Sequence, residues 1–344
     1  MTLRSRREPL LVRTGARFTC EGDGLCCSDI HAVGPLNEED VEFVSTISED
    51  AIDRHEEENA AVLMMRSDTG TCVFWSQEGC ALHVKLGPVM KPSPCIQFPY
   101  GLTATPAGGR ITTQHRCPCR TLGTRAPLTI DAARSCTVDG DGELKPDHAV
   151  EGPVAWSESE SIPFVEYERR EGPVIESLID GKSLRRALDA DPFPELDGRT
   201  WNDVANELRA FDGPSRAAAA ARWFGDALGY LVDWREERTE HGRPWAASFD
   251  RAERRIVTPE QPNRVFGDWL ADEVWALRWT PFGSLARARA ELATRLTVAR
   301  RIAGWLDISN PTRDNVSAAE AVMIVDVVGS TDLWEDVQRA IVNR

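Results

Sequence analysis

The stretch that decides the fold opens with FTCEGDGLCC (residues 18–27) and closes with HRCPC (residues 115–119). Between them lie TCVFWSQEGC (71–80) and KPSPCIQFP (91–99). Together they hold eight of the nine cysteines: Cys20, Cys26, Cys27, Cys72, Cys80, Cys95, Cys117 and Cys119. Only Cys136 lies outside, and no cysteine follows it. Cysteine is scarce and reactive, so this concentration points to chemistry rather than to core filling.

Spacing limits what the thiols can build. The C-x₂₋₄-C knuckles of zinc fingers and ribbons are absent, as are ferredoxin-type runs. Cys26 and Cys27 are adjacent, Cys117 and Cys119 are one residue apart, and the rest are widely separated. This predicts one site assembled from several loops. Neighbouring thiolates repel, so a group of them needs a cation; zinc or an iron–sulfur cluster, such as [4Fe-4S], supplies it. A structural zinc site contributes roughly 10–16 kcal/mol, against about 5–15 kcal/mol for the stability of a whole domain. A cysteine-bearing part with many turns and few apolar runs is therefore expected to depend on its metal for folding. Cys136 reads as a structural thiol. His83 and His115, each near a cysteine, read first as ordinary polar residues and second as ligands.

Composition is that of an ordinary globular protein, with 42% apolar and 28% charged residues in 344. A formal net charge of −15 argues against non-specific binding to nucleic acid or anionic membrane. The basic N-terminus has no apolar stretch of signal-peptide length, and no run of about 18 apolar residues predicts a membrane span. The expected location is the cytoplasm, where thiols stay reduced and clustered cysteines bind metal or act in catalysis.

The expected fold class is α+β: a small irregular cysteine-rich metal-binding module with short strands at 1–138, a linker at 139–160 and a mainly α-helical domain at 161–344. Asn37, followed by Glu38, Glu39 and Asp40, caps a short helix. Residues 53–59 read as solvated. Residues 63–65 and 72–75 read as strands around the Ser67-Asp68-Thr69-Gly70 turn. Residues 82–86 form a helical turn ended by Gly87, and prolines hold 91–95 extended. Strands at 100–105 and 110–115 flank a turn at Pro106-Ala107-Gly108-Gly109. Asp139-Gly140-Asp141-Gly142-Glu143 is not a calcium loop, because Leu144 and Val150 stand where glycine and glutamate belong. Helices are expected at 163–179, 183–188, 201–211, 214–238, 263–279, 284–306, 318–328 and 333–342, the last capped by Thr331. Nine of the eleven tryptophans fall in this half and read as its core. Arg287, Arg289, Arg295, Arg300 and Arg301 share one predicted helix. They read as a solvated face, with a docking face for an acidic partner as the alternative.

The cysteine motifs resemble the family known by its CxxCxxCC signature (YkgJ-type), described as zinc- or iron-chelating. In that pattern an aromatic residue precedes C-x-x-C-G-x-C-C. Phe18, Cys20, Gly24, Cys26 and Cys27 match it, and Asp23 replaces the second cysteine. Cys72, Cys80-Ala81-Leu82-His83 and Pro92-Ser93-Pro94-Cys95-Ile96-Gln97-Phe98-Pro99 match its later segments, with Lys91 and Ile96 in place of arginines. The wider layout resembles the flagellin lysine-N-methylase branch, with its late Cys-Pro pair (here Cys117-Pro118) and helical C-terminal half. The resemblance implies metal ligation by Cys20, Asp23, Cys26, Cys27, Cys72, Cys80, Cys95, Cys117 and Cys119. Aspartate suits zinc or iron and is unusual on an iron–sulfur cluster; Cys119 can take its place. In the methylase branch the resemblance also implies S-adenosylmethionine and a protein substrate.

Other catalytic signatures are missing. No G-x-G-x-x-G follows a strand, Gly181-Lys182-Ser183 lacks the upstream glycine of a P-loop, and neither G-x-S-x-G nor H-E-x-x-H occurs. Three functions stay open: a metal- or cluster-binding protein, a protein lysine N-methyltransferase using S-adenosylmethionine, and a non-catalytic scaffold with structural zinc.

Overall fold

The computed structural model describes residues 9–20, 24–55, 60–76, 78–87, 90–122, 125–134, 136–137, 144–233, 241–253, 261–309 and 314–342. The fold is mixed α and β, with short strands in the first half and helices in the second. The cysteine-bearing part contains β1 (Leu10–Val12), α1 (Glu38–Ile47), β2 (Ile52–His55), β3 (Ala60–Leu63), β4 (Trp75–Ser76), β5 (Gly79–Cys80), α2 (Ala81–Leu86), α3 (Ser93–Gln97), β6 (Tyr100–Thr105), β7 (Gly108–Thr113), α4 (Pro118–Thr121) and α5 (Ile130–Arg134). Asn37 starts α1 through a reciprocal capping box with Asp40. Gly87 ends α2 with a left-handed backbone.

Residues 53–55, part of the stretch read as solvated, belong to strand β2, with Arg54 exposed; β2 pairs antiparallel with β3 from Ile52↔Leu63 to His55↔Ala60. The pairing satisfies both backbones while Ile52 packs on a core containing Val44, Ala61 and Leu63. Residues 91–95 are not wholly extended, because α3 begins at Ser93. Pro94 is tolerated there since the first turn of a helix has no use for its missing N–H. Pro118 starts α4 the same way.

Two further strands, β8 (His148–Ala149) and β9 (Val154–Ser157), lie within the segment read as a linker, and β10 (Glu160–Ile162) starts at its end. β8 joins a four-stranded sheet of order β1-β7-β6-β8. β6 and β7 form its antiparallel centre, from Tyr100↔Thr113 to Thr105↔Gly108, and both are buried along their whole length. Leu102 and Ile111 face a core shared with Leu10, Leu128 and Ala133. Opposite them, Thr103 and Arg110 face the helices.

The helical half comprises α6 (Phe164–Asp180), α7 (Leu184–Leu188), α8 (Trp201–Arg209), α9 (Arg216–Asp233), α10 (Ala246–Glu253), α11 (Pro262–Ala276), α12 (Leu285–Ser309), α13 (Asp314–Gly329) and α14 (Asp332–Ala340). Thr331 caps α14 as expected. The Asp139-Gly140-Asp141-Gly142-Glu143 stretch lies outside the described residues. Trp201, Trp223, Trp245, Trp269, Trp305 and Trp334 belong to the main core, and Leu25, Ile30 and Leu122 join it from the cysteine-bearing part. Among the described residues no helix is long and apolar enough to cross a membrane.

The arginines of α12 do not form one docking face. Arg295 is buried between Glu273 and Glu291 at 2.6 Å from each. Arg289 lies over Trp156 and Arg301 over Tyr230, while Arg287 faces Glu158.

A buried ionic knot ties the two halves together. On α11, Asp268 and Asp272 stand one turn apart. Arg13 donates to both at 2.5 Å, and so does Arg120. His115 Nε2 and Thr113 Oγ1 add hydrogen bonds to Asp272 at 2.8 and 3.1 Å. Burial opposes ionisation of the two carboxylates, but Arg120 and Arg13 outweigh it and hold both well below the usual carboxylate range. Removing one charge leaves buried guanidiniums uncompensated. Asp272→Asn should therefore lower stability by about 3–5 kcal/mol in urea unfolding. A loss below about 1 kcal/mol, the size of a surface pair, would show that the knot is not a structural linchpin.

Candidate functional site

Local chemistry brings the cysteine loops together. Gly24 has φ 80° and starts the short 3₁₀ turn that carries Cys26 and Cys27. A side chain there would collide with the Trp75 indole, so glycine is required both for the backbone and for this close approach. Cys72 N–H donates to the Cys27 carbonyl at 2.8 Å, which sets the second loop beside the first. Arg66 gathers the carbonyls of Cys72, Val73 and Trp75. Trp75 pairs with Cys80 in the β4–β5 hairpin. Asp40 accepts from Ser93 N at 2.8 Å, anchoring the start of α3 and with it Cys95. Arg216 of α9 fastens the assembly to the helices through Asp29 at 2.7 Å and the carbonyl of Gly70.

Cys20, Cys26, Cys27, Cys72, Cys80 and Cys95 line a single cavity of about 340 Å³. Cys27, Cys72, Cys80 and Cys95 are thiols, not disulfide halves. Cys26 and Cys27 sulfurs are 4.0 Å apart. The remaining candidates lie elsewhere. Cys117 and Cys119 are buried at α4 and do not line the cavity. Asp23 lies outside the described residues. Cys136 packs beside the Leu102–Ile111 core, its Sγ 3.8 Å from the Ala132 carbonyl. Among the described residues no three Cys, His, Asp or Glu side chains converge closely enough to hold an ion as they stand. The sulfurs surround a space rather than a point.

Both sequence-marked histidines are elsewhere: His83 is exposed on α2, and His115 belongs to the ionic knot. The cavity's histidine is His31, which no local pattern marks. Its ring stacks on Phe98 with centroids 4.7 Å apart, and its Nδ1 is buried without a hydrogen-bond partner among the described residues. Burial, then the nearby Arg116, hold its pKa well below the ordinary value, so the ring is neutral at pH 7. Neutral imidazole is the metal-binding form.

Burial also raises two thiols. Cys72 is pushed up to about 11; a hydrogen bond from the Phe74 backbone opposes the rise, and Cys80 and Cys26 add to it. Cys95 is raised further, by burial first and then by Cys72 against the opposing Lys91, with Cys80 and Cys26 adding. Cys26, Cys72, Cys80 and Cys95 are thus close enough to feel one another's charge. No protein family, curated protein or solved structure matches the chain. The resemblance to the cysteine-cluster family rests on its motif residues alone.

These shifts fix a pH dependence. An unfolded Cys72 loses its proton near 9.0 and the folded one near 11, so the folded metal-free state holds more protons in that window. Its stability must fall as pH rises from 9 to 11. Thermal unfolding of metal-free protein across this range should show the fall, and Cys72→Ala should shrink it. An undiminished slope in the variant would assign the effect to other groups.

Proposed function

We propose that this protein binds a metal ion or an iron–sulfur cluster in the cysteine cavity. The supporting observation is the convergence of six cysteines from four separate segments on one wall, with the unpartnered Nδ1 of His31 beside them. Cys26, Cys72, Cys80 and Cys95 form the inner set, since Cys26 and Cys80 act electrostatically on Cys72, and all three act on Cys95. Cys20, Cys27 and His31 complete the donor supply. Soft thiolate with imidazole suits zinc, iron and iron–sulfur clusters and disfavours magnesium or calcium. The space enclosed has room for a cluster or for a single ion reached by side-chain rotation.

A bound cation answers a physical problem of the site. Buried thiols resist ionisation, and several thiolates in one cavity repel. A metal removes both obstacles and releases protons as it binds, so affinity rises with pH. Trp75, Leu82 and Phe98 line the same cavity and limit water at the sulfurs.

Protein purified without oxygen should contain zinc or iron by elemental analysis; acid-labile sulfide with the iron selects a cluster. Cys72→Ser and Cys95→Ser should each lose the metal and His31→Ala should weaken it, whereas Cys136→Ser should retain it. A metal-free protein of unchanged stability, or full metal content in the Cys72 and Cys95 variants, would end this reading.

A further inference from the structure

A second cavity, of about 360 Å³, lies against the cysteine cavity and shares Gln114, Arg116 and Asp147 with it. Its lining is polar, and its charges are unevenly matched. Glu273 is held by Arg295 at 2.6 Å. Glu291 is held by Arg295 and by Trp334 Nε1. Asp147 accepts from Gln97 Nε2 at 2.7 Å and from Leu102 N at 2.8 Å. Asp326 accepts the Arg116 main-chain N–H at 2.8 Å.

The two remaining guanidiniums are matched less closely: Asp326 acts on Arg116, and Arg278 acts on Glu273, from beyond ion-pair distance. Arg116 donates through Nε to Gln114 Oε1 at 2.6 Å and through one terminal nitrogen to Ser330 Oγ at 3.2 Å. Arg278 reaches only Thr112 Oγ1, at 3.5 Å. Neither forms an ion pair with a carboxylate among the described residues. The buried arginines Arg13, Arg110, Arg120 and Arg295 are paired with acids, whereas Arg116 is half-buried and Arg278 exposed. The Thr112 hydroxyl lies on the same walls, whereas the Ser330 hydroxyl donates to the Val327 carbonyl and His148 Nε2 bonds Thr280 Oγ1.

We propose that this cavity is an oxyanion-binding site for a small molecule carrying a carboxylate or phosphate, gripped by Arg116 and Arg278. Guanidiniums suit both groups because their forked N–H donors match two oxygens at once. The volume fits a metabolite-sized ligand. Arg116 lies on the shared wall, so the bound molecule sits next to the cysteine cavity. The assignment does not require a metal there.

The test titrates the full chain with inorganic phosphate and, separately, with succinate, by calorimetry and by tryptophan fluorescence, since Trp279 lines the cavity. At least one anion should bind saturably. Arg116→Gln and Arg278→Gln should each weaken it by about tenfold or more, as expected for loss of a charge-assisted hydrogen bond. Arg169→Gln, on the exposed face of α6, should leave it unchanged. Phosphate binding alone assigns a phosphate ester, and succinate binding alone a carboxylate. Arg278 is exposed, so its variant decides the matter if the Arg116 variant fails to fold. No saturable binding of either anion, or binding that survives both substitutions, overturns the proposal.

Discussion

Everything in this fold depends on the pairing of Arg13 and Arg120 with Asp268 and Asp272. Two cations and two anions, all on or near the sheet–helix boundary, share four short hydrogen bonds. The cysteine-bearing part has no single large core of its own; its apolar residues divide between small clusters. What sets it against the helices is therefore ionic as much as apolar. Such a knot is specific in a way an apolar contact is not, because a misplaced buried charge costs several kcal/mol. Arg110 repeats the device on the same sheet, paired with Glu171 and lying 4.1 Å from the Trp275 ring centroid.

That anchoring explains how loops with little regular structure can hold a defined cavity. Arg66 and Asp40 each act on backbone groups in or beside a cysteine loop, and Asp29 ties its loop to the backbone at the start of α9. They place main chain rather than sulfur. The result is a cavity whose walls are set while its thiols stay separate. Without a cation, burial favours the neutral form of each thiol, and neutral thiols have no reason to crowd together.

The parts of this structure that could be read from sequence are those governed by neighbours in the chain. The Asn37 box, the Gly87 stop, the β6–β7 hairpin and the apolar stripe of α12 all follow from residues a few positions apart. Prolines misled at 91–95, because the rule for the residue before proline competes with the helix N-terminus that accepts proline at its first turn. The cysteine density showed that a site exists and which segments supply it. Its actual membership was hidden. His31 has no flanking motif and enters the cavity only through the packing of its loop on Phe98. Cys117 and Cys119 look equivalent to the rest in sequence, yet α4 turns them into the interior beside Arg120. The knot itself joins residues from opposite ends of the chain, and no periodicity announces such a pairing.

The two cavities are best considered together because two charged residues, Arg116 and Asp147, line both. Arg116 spans their common wall and lies 5.7 Å from the Phe98 ring, whose other contact is the stacked His31. Its positive charge already helps keep His31 neutral. In a partly buried wall the effective dielectric is far below that of water, so a unit charge a few ångströms away is worth kcal/mol rather than tenths. An anion seated on Arg116 would cancel part of that field at His31 and at the thiols behind it. An anion in the polar cavity would therefore be felt in the sulfur cavity through Arg116, and by reciprocity a group bound among the sulfurs would alter how strongly Arg116 holds its anion.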